Sequence, residues 1–235
     1  MNRIKPVYLM AGGNWRKPSA LLPQFQTILA ETGKPRPLVA TIGAANGDDA
    51  FFFRFTRHWL LRAGAGEVMP VRLASKRADA ARALEILQAA DAVFLSGGDV
   101  DEGMRWLKHH GIIPALRGLR RRGKLFFGLS AGSIMLGTRW VRWPDENNDD
   151  SAELFECLGL APVLCDTHAE EDDWEELKTA VRLLAGRGCG YGIPTGGAIR
   201  VSPSGTLTAF GQPAVRYLRK HGQAVKAEDL PAKPF

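Results

Sequence analysis

Short apolar runs alternate with stretches of helical spacing over the first half of the chain. Val7, Tyr8, Leu9, Met10 and Ala11 form one run, closed by Gly12 and Gly13, and read as a buried strand. Positions 19–30 place Leu21, Leu22, Phe25, Ile28 and Leu29 at helical spacing. Positions 37–42 are the next strand, ended by Gly43. Asp48 opens a helix to about Arg62, and its Phe51, Phe52, Phe55, Trp59 and Leu60 make an aromatic face that reads as core. Positions 67–73 predict a third strand, 79–89 a helix, and 92–96 a fourth strand stopped by Gly97, Gly98 and Asp99. A helical stretch over about 102–122 is interrupted near Gly111 and Pro114. The apolar run Leu125, Phe126, Phe127 then enters Gly128-Leu129-Ser130-Ala131-Gly132-Ser133, followed by the helix-compatible Ile134-Met135-Leu136.

Beyond this point the pattern loosens. Positions 143–150 are polar and acidic and read as a loop. A short strand is expected over 162–166 and a helix over 171–185. Positions 191–201 and 206–210 read as a final strand pair around Pro203-Ser204-Gly205. The tail from about Lys220 is polar, carries two prolines, and is expected to be surface or frayed. Uniformly apolar strands joined by helices predict an α/β protein with a three-layer, doubly wound, mostly parallel sheet covered on both faces. Residues 1–235 are expected to be a single domain.

Composition narrows the partners. The chain has 235 residues, 45% hydrophobic and 24% charged, an ordinary globular balance. The N-terminus lacks a signal-peptide apolar region and no run is long enough for a membrane span, so a cytoplasmic protein without membrane partner is expected. Cys157, Cys165 and Cys189 are odd in number and show no C-x-x-C spacing, which points to reduced thiols rather than a disulfide framework or a metal site. The net charge of +6 hints at anionic partners, but its densest group, Arg117, Arg120, Arg121 and Arg122, reads as a helix end, and nucleic-acid binding is not expected.

Gly128-Leu129-Ser130-Ala131-Gly132 between a strand and a helix is the pattern of a G-x-S-x-G nucleophile elbow. The bland alternative is a plain strand-to-helix turn. Doubly wound sheets place their sites at the carboxyl ends of strands, and a second such end here carries Asp166-Thr167-His168. A serine hydroxyl needs a base to take its proton, a histidine can act near neutral pH, and a carboxylate can orient it. Of the five histidines, His58 falls on the aromatic helix, His109 and His110 near a helix end, and His221 in the tail, leaving His168 as the candidate base. Asp145 and Glu146 lie in the loop after the elbow. The N–H groups of Gly98 and Ala131 are candidate oxyanion donors. Gly12-Gly13 reads as a strand-end turn that brings Asn14 and Arg16 toward the site; neither it nor Gly97-Gly98 matches a phosphate-binding pattern.

Gly97-Gly98-Asp99, then Gly128-Leu129-Ser130-Ala131-Gly132-Ser133, then Asp166-Thr167-His168 together resemble the peptidase E and cyanophycinase family of serine peptidases, from Val7 to about Val201. The resemblance implies a flavodoxin-like, class I glutamine amidotransferase-like fold, no cofactor and no metal. It implies Ser130 as nucleophile, His168 as general base, and Gly98 with Ala131 as the oxyanion hole. It places the triad acid at the separation of Asp145, with Glu146 beside it as rival. A small peptide is the implied substrate, met by Gly97, Asp99, Glu170 and Glu171. A homodimer is one assembly the chain allows.

Two departures bear on specificity. Peptidase E cleaves dipeptides with N-terminal aspartate, and its family usually carries an aromatic residue and then arginine after the histidine. Here His168 is followed by Ala169, Glu170, Glu171, Asp172, Asp173, Trp174, Glu175 and Glu176, six of which are acidic and none basic. Such a patch repels aspartate and attracts an amine or guanidinium, although a helix's first turn also favours acids. In Gly192-Ile193-Pro194-Thr195-Gly196-Gly197, relatives tend to have an acidic residue after the isoleucine. The expected function is hydrolysis of short or unusual peptides by a Ser-His-acid triad that resembles peptidase E, with the two departures putting its aspartyl specificity in doubt. The alternative is a non-hydrolytic amidotransferase-like binding protein. A third reading, glutamine amidotransfer, is not expected, because that chemistry needs a thiol and no cysteine stands at the elbow.

Overall fold

The structure, a computed structural model, describes residues 4–12 and 18–235. Gly13, Asn14 and Arg16, expected near the site, lie outside the described residues. The first half alternates strands and helices: β1 (Val7–Met10), α1 (Leu21–Ala30), β2 (Leu38–Ile42), α2 (Ala50–Arg62), β3 (Glu67–Val71), α3 (Ala80–Ala89), β4 (Ala92–Leu95), α4 (Val100–His109), α5 (Ile113–Arg121), β5 (Leu125–Leu129) and α6 (Ala131–Leu136). β1, β5, β4, β2 and β3 pair in parallel in that spatial order. Their apolar character on both sides has a direct reason. Val7, Leu9, Ala40, Ile42, Val93 and Phe126 pack on one face, while Tyr8, Met10, Val39, Phe94 and Phe127 pack on the other against α1 and α2. Phe25 of α1 meets Phe94 and Phe127 edge-on at 6.0 and 6.1 Å between ring centres. This is the expected three-layer, doubly wound arrangement.

The second half adds β6 (Arg139–Arg142), β7 (Glu153–Glu156), β8 (Cys165–Thr167), α7 (Glu175–Leu183), β9 (Cys189–Ile193), β10 (Ala198–Val201), β11 (Leu207–Phe210), β12 (Ala214–Lys220), β13 (Gln223–Leu230) and β14 (Ala232–Lys233). β10, β11 and β14 extend the main sheet beyond β1, giving eight strands in the order β14-β11-β10-β1-β5-β4-β2-β3. A separate sheet has the order β13-β12-β9-β8, and β6 pairs with β7 as a hairpin that carries the acidic loop.

Four sequence expectations change here. The stretch 191–201 is two strands, because Pro194 to Gly197 carry the chain from the second sheet (β9) to the main sheet (β10). The strand expected at 162–166 occupies Cys165–Thr167. The helix expected from 171 starts at Glu175, since Asp173 and Trp174 have φ of 47° and 61°, outside helical space. The tail, expected to be surface or frayed, lies at the surface as ordered strand: β13 pairs with β12 along most of its length, and β14 pairs with β11. No helix among the described residues is long and apolar enough to cross a membrane.

Candidate active site

The carboxyl ends of β1, β5, β4 and β2 meet at one edge of the main sheet, next to the point where strand order reverses around β2. β5 delivers the chain to Ser130, whose φ of 53° and ψ of −127° are rare for a residue with a side chain. The turn is held from two sides. The Ser130 N–H donates to the Met10 carbonyl at 2.9 Å. The buried Ser133 hydroxyl donates to that same carbonyl and accepts the Met10 N–H, each at 2.8 Å. The two elbow glycines permit the close packing that follows: a Cβ on Gly128 would come within 2.5 Å of Gly132, and one on Gly132 within 2.1 Å of the Leu95 carbonyl.

β8 supplies the partner. His168 leaves it with φ of 46°, its N–H donating to the Ile193 carbonyl at 2.9 Å. Its Nε2 lies 2.7 Å from the Ser130 Oγ, within hydrogen-bond reach. The two residues are thus brought together by separate sheets. Among the described residues no carboxylate hydrogen-bonds the His168 ring. Glu146 lines the same cleft as Ser130 and His168. Asp145 is turned to its own loop: its carboxylate accepts the Asn147 N–H at 3.0 Å.

The loop after β4 approaches the serine closely. A Cβ on Gly97 would stand 3.1 Å from the Ser130 Cβ, and one on Gly98, whose φ is 141°, only 2.0 Å from the Ala45 carbonyl oxygen. Asn46 ties this loop to the one after β2, its Nδ2 donating to the Ser96 Oγ at 2.9 Å and the Gly97 carbonyl at 3.1 Å. Asp99 donates its N–H to the Ala45 carbonyl and caps α4 by accepting the Glu102 N–H, both at 2.7 Å. The Ala131 N–H opens α6 directly behind Ser130, where a first-turn donor has no intrahelical partner.

Two clefts flank the serine. One, about 640 Å³, has apolar walls from Leu21, Phe52, Phe55 and Leu129, with Gly97, Gly98, Ser130, His168 and Glu171 around the reacting pair. The other, about 830 Å³, contains Gly98, Asp99, Ser130, Ala131 and His168 and has carboxylate-rich walls. Glu170, expected at the substrate, instead holds the chain: its Oε1 accepts the Thr195 N–H at 2.6 Å.

Three residues of the site have no role assigned in the sequence reading. Ser133 and Asn46 brace the turns, and Asp166 is among the residues lining the second cleft. Asp166 is 5% exposed; one carboxylate oxygen accepts the Thr167 N–H at 2.7 Å and the other has no partner among the described residues. Burial, reinforced by Glu176, Asp172 and Glu170, pushes its carboxyl up to about 7, against the opposing pull of the Thr167 N–H. Burial likewise raises Glu176, while a hydrogen bond from Trp140 lowers it. Only the placement of an acid two residues before His168 hinted at Asp166. Burial also pushes the Cys157 thiol up to about 12 and raises Cys165, so neither buried thiol is activated.

The sequence model of peptidase family S51 matches residues 7–208. The chain belongs to this family. It is therefore a serine peptidase of the peptidase E type, with the class I glutamine amidotransferase-like fold. Among solved structures, the chain is similar to a peptidase from an acI-B1 Actinobacterium, with a TM-score of 0.74 and 17% identity over 95% of this chain and 97% of that one. It is also similar to a putative peptidase E protein from Listeria monocytogenes EGD-e, with a TM-score of 0.67 and 17% identity over 88% of this chain and 98% of that one. No curated protein sequence matches it. The matched region contains the Gly97-Gly98 turn, Ser130 and His168.

Proposed function

We propose that the protein hydrolyses short peptides through Ser130 as nucleophile and His168 as general base. The observation that carries this reading is the 2.7 Å separation of the Ser130 Oγ and the His168 Nε2 at a strained elbow. In the first step the Ser130 oxygen bonds to the scissile carbonyl carbon while its proton passes to His168 Nε2. The carbonyl oxygen becomes an oxyanion, and the N–H groups of Gly98 and Ala131 stabilise it. Collapse breaks the C–N bond, and His168 returns the proton to the leaving amine. Water then attacks the acyl-serine with His168 again as base, releasing the acid and restoring Ser130.

We assign Glu146 the role of orienting His168 and stabilising the imidazolium. Its position on the cleft shared with Ser130 and His168 supports this, as does the engagement of Asp145 with Asn147. The carboxylates around the cleft oppose a substrate aspartate, so the peptides cut are not those with N-terminal aspartate. The three cysteines are unpaired, which supports the cytoplasm as the working compartment.

Labelling with a fluorophosphonate tests the assignment. The wild type takes up the probe and Ser130→Ala does not; equal labelling of both overturns it.

A further inference from the structure

We infer that a pocket behind the Gly97-Gly98 turn is a second ligand site, and that its ligand is a compact aromatic acid bound ring inward. The inference goes beyond peptide hydrolysis and does not depend on it.

The pocket, about 230 Å³, lies between α2 and the carboxyl ends of β2, β3 and β4. Its floor is buried: Ile42 and Phe94 are 2% and 0% exposed. Phe52 and Phe53 of α2 and Pro70 of β3 complete the apolar walls. The polar groups of the floor are spent on their neighbours. Thr41 Oγ1 donates to the Met69 carbonyl at 3.2 Å. Ser96 Oγ donates to the Ile42 carbonyl at 3.2 Å and accepts from Asn46 Nδ2 at 2.9 Å. The interior therefore offers an occupant apolar contact, and walls with three phenylalanines suit a flat ring. An apolar cavity of about 150 Å³ already takes benzene, so one ring with a short arm fits here.

The mouth selects the charge of that arm. Arg54 and Arg72 are exposed there, and neither enters an ion pair or a side-chain hydrogen bond among the described residues. Asp48 and Asp49 also border the pocket, but backbone N–H groups engage both carboxylates. Asp48 Oδ2 accepts the Leu73 and Ala74 N–H at 2.6 Å each, and Asp49 Oδ1 accepts the Phe52 N–H at 2.6 Å. The donors left for a ligand are the two guanidiniums, whose planar forks match a carboxylate.

This pocket is not the cleft of the reacting pair. Neither Ser130 nor His168 lines it, although Asn46 and Phe52 border both spaces. Asn46 also donates to the Gly97 carbonyl at 3.1 Å, so one wall of the pocket is the brace of the turn beside Ser130.

Phenylacetate is the test probe, with phenylacetamide and acetate as comparisons, titrated into the wild type by calorimetry and by amide NMR shifts. Phenylacetate is expected to bind with its largest shifts at Thr41, Thr56 and Val71. Acetate lacks the ring and is expected to bind about tenfold or more weakly. Phenylacetamide lacks the charge and is expected to bind about threefold or more weakly, the scale of exposed ion pairs. Arg54→Gln combined with Arg72→Gln, both at exposed positions, is expected to bring phenylacetate within about twofold of phenylacetamide while circular dichroism stays native. The inference is overturned if phenylacetate does not bind at millimolar concentration, or if acetate or phenylacetamide binds as well as it does. It is also overturned if the largest shifts fall at Ser130, His168 and Thr195, or if the double replacement keeps the preference for the acid. No readout here needs a reactive serine, so failure of the hydrolytic reading and failure of this site are seen separately.

Discussion

Ser133 and Met10 are joined twice, the Ser133 hydroxyl donating to the Met10 carbonyl and accepting its N–H at 2.8 Å each. The two bonds fasten the start of α6 to the end of β1, and the Ser130 N–H shares the same carbonyl. Removing the hydroxyl leaves the buried Met10 N–H without that partner. Ser133→Ala is expected to lose ~1–3 kcal/mol of stability, a drop of about 2–4 °C in Tm per kcal/mol for a chain of this size. Thermal unfolding followed by circular dichroism checks this; an unchanged Tm would show that the elbow is braced elsewhere.

Gly132 faces a harder limit. Its Cα sits so near β4 that an added Cβ would fall 2.1 Å from the Leu95 carbonyl oxygen, an atom of backbone that no rotamer change can move. Gly132→Ala is expected to cost more than ~3 kcal/mol, at the diagnostic end of single substitutions, and to yield little folded protein. The control is Gly118→Ala inside α5, where φ is not positive and the new Cβ meets only the flexible ends of arginine side chains, Arg122 at 3.3 Å being the nearest. Comparable yields of folded Gly132→Ala and wild type would mean that the elbow does not pack as described.

Much of this architecture is legible in the sequence, for reasons tied to particular strands. β1, β2, β4 and β5 are covered on both faces, so runs such as Ala92 to Leu95 are apolar throughout and stand out. β13 is different: it is the edge strand of the second sheet, largely exposed, and its Lys226, Glu228 and Asp229 hide its pairing with β12. Ser130 and His168 were legible because each directly follows a strand, Ser130 the apolar β5 and His168 the short β8. The choice between Asp145 and Glu146 was not, because adjacent positions differ only in where the loop turns them. Asp166 was read only as the residue before Thr167 and His168, since nothing in Leu164-Cys165-Asp166-Thr167 tells that one carboxylate oxygen is sealed without a partner.

The loop between β6 and β7 yields a paired prediction. Glu146 lines the cleft of His168, and the Asp145 carboxylate is spent on the Asn147 N–H. Glu146→Gln is expected to lower kcat by about 10²–10⁴, as when a residue that orients a catalytic histidine loses its charge. Asp145→Asn keeps an oxygen for the Asn147 N–H and is expected to stay within about threefold of wild type. The check is steady-state hydrolysis of the best peptide found. A large loss in Asp145→Asn with little in Glu146→Gln reverses the assignment.

Asp166 gives the pH dependence a sign. Its carboxyl is raised from the ordinary 3.8 to about 7, chiefly by burial, with Glu176, Asp172 and Glu170 adding repulsion and the Thr167 N–H opposing. The folded protein therefore holds a proton on Asp166 that the unfolded chain gives up near pH 4. Its favourable contribution is complete below about pH 4 and is lost as pH rises through 7, a change on the order of 4 kcal/mol at most. Asp166→Asn cannot ionise and escapes this loss. Urea unfolding of the two proteins should give similar stabilities near pH 4.5 and a variant more stable than wild type by a few kcal/mol at pH 8. A gap that is flat across this range, or that favours wild type at pH 8, would show that the charge on Asp166 is already compensated in the folded protein.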